Sequence, residues 1–263
     1  MIGAGNMGAA LARGILEANS CSWNLTIVDP SSPFTDELGA YENATTLTTL
    51  PADHSTKFDC LVLAVKPQLS AEVLPGLSHY VGKDGCIISV MAGKSVTGIQ
   101  RDLGAELPVI RAMPNLPAQV GMGMTTVFAS ESVAPDQLSD ASELFQTVGE
   151  VLSVSSEELI DAGTAVAGSG PGFIYHLLTA ANEQAIELGF SAEEASLLVS
   201  QTVLGALKLS GASDQTYKTL EESVTSPNGT TEAGIKILKD GKAQELLRET
   251  VKAAYVRAQE LSD

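Results

Sequence analysis

Three glycines near the start of the chain have a spacing that can bind a dinucleotide. Met1-Ile2-Gly3-Ala4-Gly5-Asn6-Met7-Gly8 contains G-x-G-x-x-G, and helix-forming sequence follows it. The first glycine permits a tight strand-to-helix turn and the second lets a pyrophosphate approach the backbone. The third lets the helix pack close to its sheet, with the helix N-terminus facing the anion. Gly3, Gly5, Asn6, Met7 and Gly8 are therefore candidate cofactor ligands. Only Met1 and Ile2 precede Gly3, so the site forms only if these few residues pair as a strand.

Other polar residues stand where strands end, and open α/β sheets bind ligands beyond the carboxyl ends of their strands. Asp29 follows a short apolar run about 20 residues after the third glycine, a spacing at which a carboxylate accepts ribose hydroxyls and repels a 2′-phosphate. An Asp-Pro pair also makes an ordinary turn, and Ser31 and Ser32 are possible phosphate donors. Ala64-Val65-Lys66-Pro67 ends a second run, so Lys66 can place its charge near a cofactor at the carboxyl end of that strand, with Pro67 fixing the turn. Asn115, between Pro114 and Pro117, offers the donor and acceptor that a nicotinamide carboxamide needs.

Two glycine-rich interruptions lie further on. Ala167-Gly168-Ser169-Gly170-Pro171-Gly172 and Thr225-Ser226-Pro227-Asn228-Gly229-Thr230-Thr231 each precede a helical pattern. Each can turn helix N-terminal N–H groups toward an anion, or simply cap a helix. The second adds the hydroxyls of Ser226, Thr230 and Thr231. Neither holds a His, Cys or Lys nucleophile, so a small carboxylate bound by backbone and hydroxyl groups fits better than covalent catalysis.

The elements that must hold these residues follow from periodicity. Continuous apolar runs at 25–28, 60–65, 85–90 and 109–113 read as buried parallel strands, and 125–128 and 151–154 as further strands. Helical patterns cover Met7 to Ala18 and Pro135 to Val148. Beyond about residue 155 strand signals almost vanish. Helices are expected over 157–167, 172–188, 192–209, 231–238 and 243–261, rich in small residues that let helices approach closely. The fold class is α/β: residues 1–155 form a doubly wound dinucleotide-binding sheet, and 156–263 an all-helical domain.

Composition narrows the function. The 263 residues carry a formal charge of −17, which argues against nucleic acid and anionic membranes as partners. Cys21, Cys60 and Cys86 lack C-x-x-C spacing and read as thiols in a reducing compartment. His54, His79 and His176 are scattered, so no metal site is expected. No leader pattern and no apolar run near about 18 residues appears, and a soluble, cytoplasmic protein is expected.

Taken in order, IGAGNMG, LAVKPQ, RAMPNLPA, AVAGSGPGF and VTSPNGTTEAG span residues 2–234, and with them the chain resembles the Δ1-pyrroline-5-carboxylate reductases. The resemblance implies an N-terminal Rossmann domain and a helical domain that interlocks two subunits. It also implies reduction of the cyclic imine to L-proline, the last step of proline biosynthesis, with NADPH or NADH. By position, Gly229, Thr230 and Thr231 correspond to the family's substrate-carboxylate loop, Thr231 to the hydroxyl nearest the ring nitrogen, and Asn115 to the nicotinamide wall. The chain departs from the family's usual residues at Leu116, at Asn228, which replaces a glycine, and at Ala167, Gly172 and Phe173. Two rival readings are a 3-hydroxyacid dehydrogenase, with Lys208 as its lysine, and a nucleotide-binding protein with an impaired site.

Overall fold

Ile2 pairs in parallel with Val28 on one side and Leu63 on the other. Its N–H donates to the Val62 carbonyl at 2.7 Å, and its own carbonyl accepts from Ala64 at 2.8 Å. Met1 and Gly3 bond to the two ends of the same neighbour, Val28 N–H to Met1 O and Gly3 N–H to Val28 O, both at 2.9 Å. The residues ahead of the glycine turn thus serve as a minimal strand. This computed structural model describes residues 1–18 and 23–262, and Cys21 lies outside the described residues.

Around that bridge run β1 (Leu25–Val28), β2 (Ala44–Leu47), β3 (Phe58–Leu63), β4 (Val81–Ser89), β5 (Val109–Met113), β6 (Gly123–Ala129) and β7 (Gly149–Ser153). β1 pairs with β2, and the others follow in the order β3-β4-β5-β6-β7. The pairings from β1 to β5 are parallel, as expected. β6, whose direction the sequence left open, runs antiparallel to β5. The link from Pro114 to Met122 is too short for a parallel crossover, which takes a dozen or more residues. A whole helix connects β6 to β7, and those two strands are parallel again. β2 escaped notice because Ala44-Thr45-Thr46-Leu47 is too polar to read as a buried run.

Among the described residues, six α-helices accompany the sheet: α1 (Asn6–Glu17), α2 (Thr35–Leu38), α3 (Ser70–Val73), α4 (Val96–Leu103), α5 (Pro135–Gln146) and α6 (Glu158–Gly163). Strand side chains alternate between two cores. Val62, Ile88 and Ile110 pack with Leu11 and Ile15 of α1 and Phe145 of α5. Leu61, Ile87 and Val109 pack with Val96, Ile99 and Leu103 of α4. This two-sided burial explains why the strands read as unbroken apolar runs. Cys60 and Cys86 face each other across β3 and β4 as free thiols.

Next come α7 (Gly170–Glu187), α8 (Ala192–Gly211), α9 (Tyr217–Ser223), α10 (Thr230–Asp240) and α11 (Ala243–Leu261). The glycine-rich segment before α7 differs from the expected helix start. Residues Thr164–Gly168 form a π-helical turn, and Ser169 N–H donates to Thr164 O at 2.8 Å. The chain stays helical through the glycines, so no helix N-terminus is offered to an anion there. α9, absent from the sequence pattern, begins at Thr216, whose hydroxyl accepts from Thr219 N–H at 3.2 Å.

Packing divides the chain into two units, Met1–Pro171 with Ala253–Asp263, and Gly172–Lys252. Within the first, one buried cation gathers several segments. Arg111 on β5 is 3% exposed. It donates to Glu157 at 2.8 Å and lies 3.7 Å from Asp161. The same Glu157 oxygen accepts from Val96 N–H at the start of α4, at 2.7 Å. Asp161 accepts from the Ser262 hydroxyl at 3.1 Å. One guanidinium therefore joins β5, α4, α6 and the end of the chain. Arg111→Met should cost about 3–5 kcal/mol, because it leaves two carboxylates without their cation. Urea unfolding measures this, and a loss below about 1 kcal/mol would show that water screens the cluster.

Candidate functional site

A cleft of about 600 Å³ opens at the carboxyl ends of β1 and β3, lined by Gly3, Gly5, Asp29, Ala64, Val65 and Lys66 among others. The three glycines divide their tasks as the spacing demands. Gly3 has φ +93°, and a Cβ there would stand 2.7 Å from the Ala64 carbonyl oxygen. A Cβ on Gly8 would land on the Gly3 carbonyl, whereas one on Gly5 would meet nothing within 4 Å. Two glycines are thus required by the fold itself. The third keeps open the space through which a pyrophosphate would reach the backbone, so the residues present fit a dinucleotide.

Gly5 is the N-cap of α1 and makes no side-chain capping bond. The first N–H groups of the helix, at Asn6 and Met7, are left for an anion. Lys66 is exposed and stands just before the short turn Pro67–Leu69. Asp29 is used differently from the sequence expectation. One of its oxygens accepts from Ala4 N–H at 2.8 Å and the other from Ser31 N–H at 2.9 Å. Its first task is to hold the glycine turn against the end of β1. Ser32 reinforces this by donating to Ala4 O at 2.6 Å. Thr48, Thr49, Leu50 and His54 also line the cleft. Sequence reasoning passed over them as cofactor contacts, because a polar loop with no periodicity carries no signal.

Asn115 does not line this cleft. It is 8% exposed, and its amide serves the protein. Nδ2 donates to Ala167 O at 3.0 Å and Oδ1 accepts from Met124 N–H at 2.9 Å. The donor-acceptor pair suited to a carboxamide instead braces the turn after β5 against the π-helical turn and the start of β6.

Ser226, Gly229, Thr230 and Thr231 come together at the N-terminus of α10. Gly229 is the N-cap, again without a side-chain cap. A Cβ on it would collide with the Ser226 hydroxyl. Asn228 has φ +58°, the left-handed conformation that asparagine tolerates better than most residues. That explains how it stands in for a glycine. Its N–H donates to Glu232 at 2.7 Å, which draws that first-turn carboxylate to the N-terminal end of the helix. Among the described residues, none hydrogen-bonds the hydroxyls of Ser226, Thr230 or Thr231. By contrast α4, α8 and α9 are capped by Ser95, Ser191 and Thr216. The helices that begin at Gly5 and Gly229 keep their first N–H groups free of such caps.

A sheet with this glycine turn, followed by helices, is the architecture of a dinucleotide-binding protein. The family model described as pyrroline-5-carboxylate reductase dimerisation matches residues 157–261, and one described as NADP oxidoreductase, coenzyme F420-dependent, matches residues 1–93. A pyrroline-5-carboxylate reductase of Pseudomonas aeruginosa is 35% identical over 262 residues, covering 100% of this chain and 96% of its own. The solved pyrroline-5-carboxylate reductase of Coxiella burnetii superposes with TM-score 0.91 at 35% identity, over 100% of this chain and 97% of that one. The Plasmodium falciparum pyrroline carboxylate reductase with NADP bound gives TM-score 0.86 at 26% identity, with coverage of 100% and 97%. The chain belongs to the pyrroline-5-carboxylate reductase family. The hydroxyacid-dehydrogenase alternative gives way, and Lys208, its proposed lysine, lies exposed in the last turn of α8. The dimerisation match supports a homo-oligomer. Among the described residues, no helix is long and apolar enough to cross a membrane.

The cleft geometry predicts opposite fates for two glycine variants. Gly5→Ala should keep the melting temperature of the free protein and weaken NADPH binding by about tenfold or more, because its methyl occupies ligand space alone. Gly8→Ala should lower the melting temperature as well. Calorimetry on both variants checks this, and unchanged NADPH affinity in Gly5→Ala would remove Gly5 from the site.

Proposed function

We propose that the protein reduces Δ1-pyrroline-5-carboxylate to L-proline with NADPH or NADH, as the last step of proline biosynthesis in the cytoplasm. The observation that carries the substrate assignment is the N-terminus of α10, where free N–H groups and uncommitted hydroxyls stand together. When bound, NAD(P)H supplies the hydride that goes to the imine carbon.

The chain's own residues bind and orient. Gly229, Thr230 and Thr231 hold the substrate carboxylate through backbone N–H groups, assisted by Ser226 and the helix dipole. The Thr231 hydroxyl hydrogen-bonds the ring nitrogen. A protonated imine is already electrophilic, so orientation accounts for much of the acceleration and no strong acid is needed. Gly3, Gly5, Asn6, Met7 and Gly8 form the cofactor turn. Asp29 holds that turn and has lone pairs left for ribose hydroxyls. Ala64, Val65, Lys66 and Pro67 form the opposite wall, and Asn115 braces the loop on the nicotinamide side. Residues 1–155 thus serve the cofactor, and 156–263 serve the substrate and assembly.

The assembly is a homodimer through the helical domain. Leu197, Leu204, Leu207 and Leu209 of α8, with Leu177 of α7, are large apolar side chains left exposed by the single chain. A patch of this kind marks an interface. The dimer should bury more than about 2,000 Å² and its unfolding should depend on protein concentration. An active species of monomer mass by light scattering at micromolar concentration would rule the dimer out.

Activity is tested directly by NADPH-dependent reduction of the imine. Thr231→Val keeps the side-chain shape and deletes the hydroxyl. It should lower kcat/KM by roughly 10- to 200-fold, about 1.5–3 kcal/mol, with little change in NADPH affinity. Full activity would reduce Thr231 to a helix residue, and lost cofactor binding would show that the substrate loop had been misplaced.

A further inference from the structure

Beyond Lys66 the wall of the cleft is built from short pieces. The turn Pro67–Leu69 runs into α3, a helix of only four residues, and the segment leaves through Gly76 at φ +82°. Its outer side chains, Leu69 and Val73, line the cleft, and Leu69 is 42% exposed. Its inner side chains, Ser70 and Leu74, are buried. Leu74 belongs to the same apolar core as Ile99 and Leu103 of α4. Ser70 carries a hydroxyl into that side, and the hydroxyl finds a carboxylate.

Ser70 donates to Asp102 Oδ2 on α4 at 2.8 Å. Lys94 Nζ, from the loop between β4 and α4, lies 3.4 Å from the same oxygen. Arg101 Nε lies 3.4 Å from the other oxygen. The Asp102 side chain is 9% exposed and that of Lys94 15%. Burial opposes the charge on Asp102, but Ser70, Lys94 and Arg101 together hold its carboxyl below the usual carboxylate range. The proposed reaction uses none of these groups. A buried ion pair is a poor source of stability, and its best-attested use is to fix one arrangement over others. Here the carboxylate joins the segments that follow β3 and β4, and ligands bind in such sheets beyond strand ends of this kind.

We propose that Asp102 is a positioning residue for the cofactor. Through Ser70 it sets the place of Leu69 and Val73, and so the shape of the wall against which the dinucleotide lies. This rests on the dinucleotide reading of the cleft. Leu69 precedes Ser70 and Val73 follows within the same turn of helix, so a shift of Ser70 moves both. The glycine turn across the cleft is held separately, by Asp29 and Ser32. Loss of the Ser70–Asp102 bond therefore changes how tightly the cofactor is held and leaves hydride transfer in the filled site untouched.

The test measures NADPH affinity of the full chain by fluorescence titration, with melting temperature and steady-state kinetics beside it. Ser70→Ala and Asp102→Ala should each weaken NADPH binding by about three- to tenfold, the scale of one hydrogen bond. The KM for NADPH should rise in step while kcat stays within about twofold. Asp102→Asn still accepts from Ser70 and should bind NADPH within about twofold of wild type. The double variant should bind no worse than Asp102→Ala alone, because both changes remove one interaction. Ser70→Ala leaves Asp102 beside Lys94 and Arg101, so it carries the test even if Asp102→Ala fails to fold. A lower melting temperature with unchanged NADPH affinity would overturn the proposal, since the cluster would then serve the fold alone. Additive losses in the double variant would overturn it too, as would a fall in kcat equal to that in kcat/KM. Failure of the wild type to bind NADPH would overturn it together with the dinucleotide reading.

Discussion

The cofactor cleft depends on the parallel pairing of Ile2 with both β1 and β3. Without it, the two-stranded sheet of β1 and β2 has no bonded connection to the five strands beginning with β3. The Gly3 turn would then no longer stand between two strand ends. With it, Gly3 is pressed against Ala64, and Asp29 can reach Ala4. The close approach demands glycine, because the left-handed backbone and the Ala64 carbonyl each exclude a side chain. A few backbone bonds therefore convert a glycine spacing into a ligand site.

The parts legible in the sequence were those whose physics is local. β5 was read at its observed bounds, because strands buried on both faces are continuously apolar. α11 was read at its bounds from helical period. The direction of β6 was not legible from its own residues, since Thr125 to Phe128 fit a strand of either sense. The deciding fact is the short link after β5. The segment Ala167 to Gly172 misled for another reason. Glycines usually interrupt helices, but a π-helical turn carries the chain into α7, with Pro171 in that helix's first turn.

Site residues divide along the same line. Gly3 and Gly8 stand where the backbone leaves no room for a Cβ, and Gly5 stands where there is open space. Asp29 and Asn115 stand out in the sequence by chemical type, but type does not reveal a partner. Short polar side chains beside turns are first recruited by nearby backbone groups, which would otherwise be buried unpaired. Both residues are spent in this way. Asn115 can act on a ligand only through the loop it holds, and Asp29 only with the lone pairs its two backbone bonds leave over.

The acidity of the chain fits this economy. A protein at −17 that handles an anionic cofactor and a carboxylate substrate cannot rely on a general positive field. It can rely on backbone dipoles, whose partial charges are fixed by the helix and independent of surface charge. α1 and α10 meet this requirement, since each starts at a glycine with no side-chain cap. Where α4, α8 and α9 spend their first donors on serine or threonine caps, these two retain them. Capping adds stability to a helix end, so leaving it out is a cost that a bound anion can offset. Glu232, in the first turn of α10, bonds Asn228 N–H and not the N–H groups of Thr230 or Thr231.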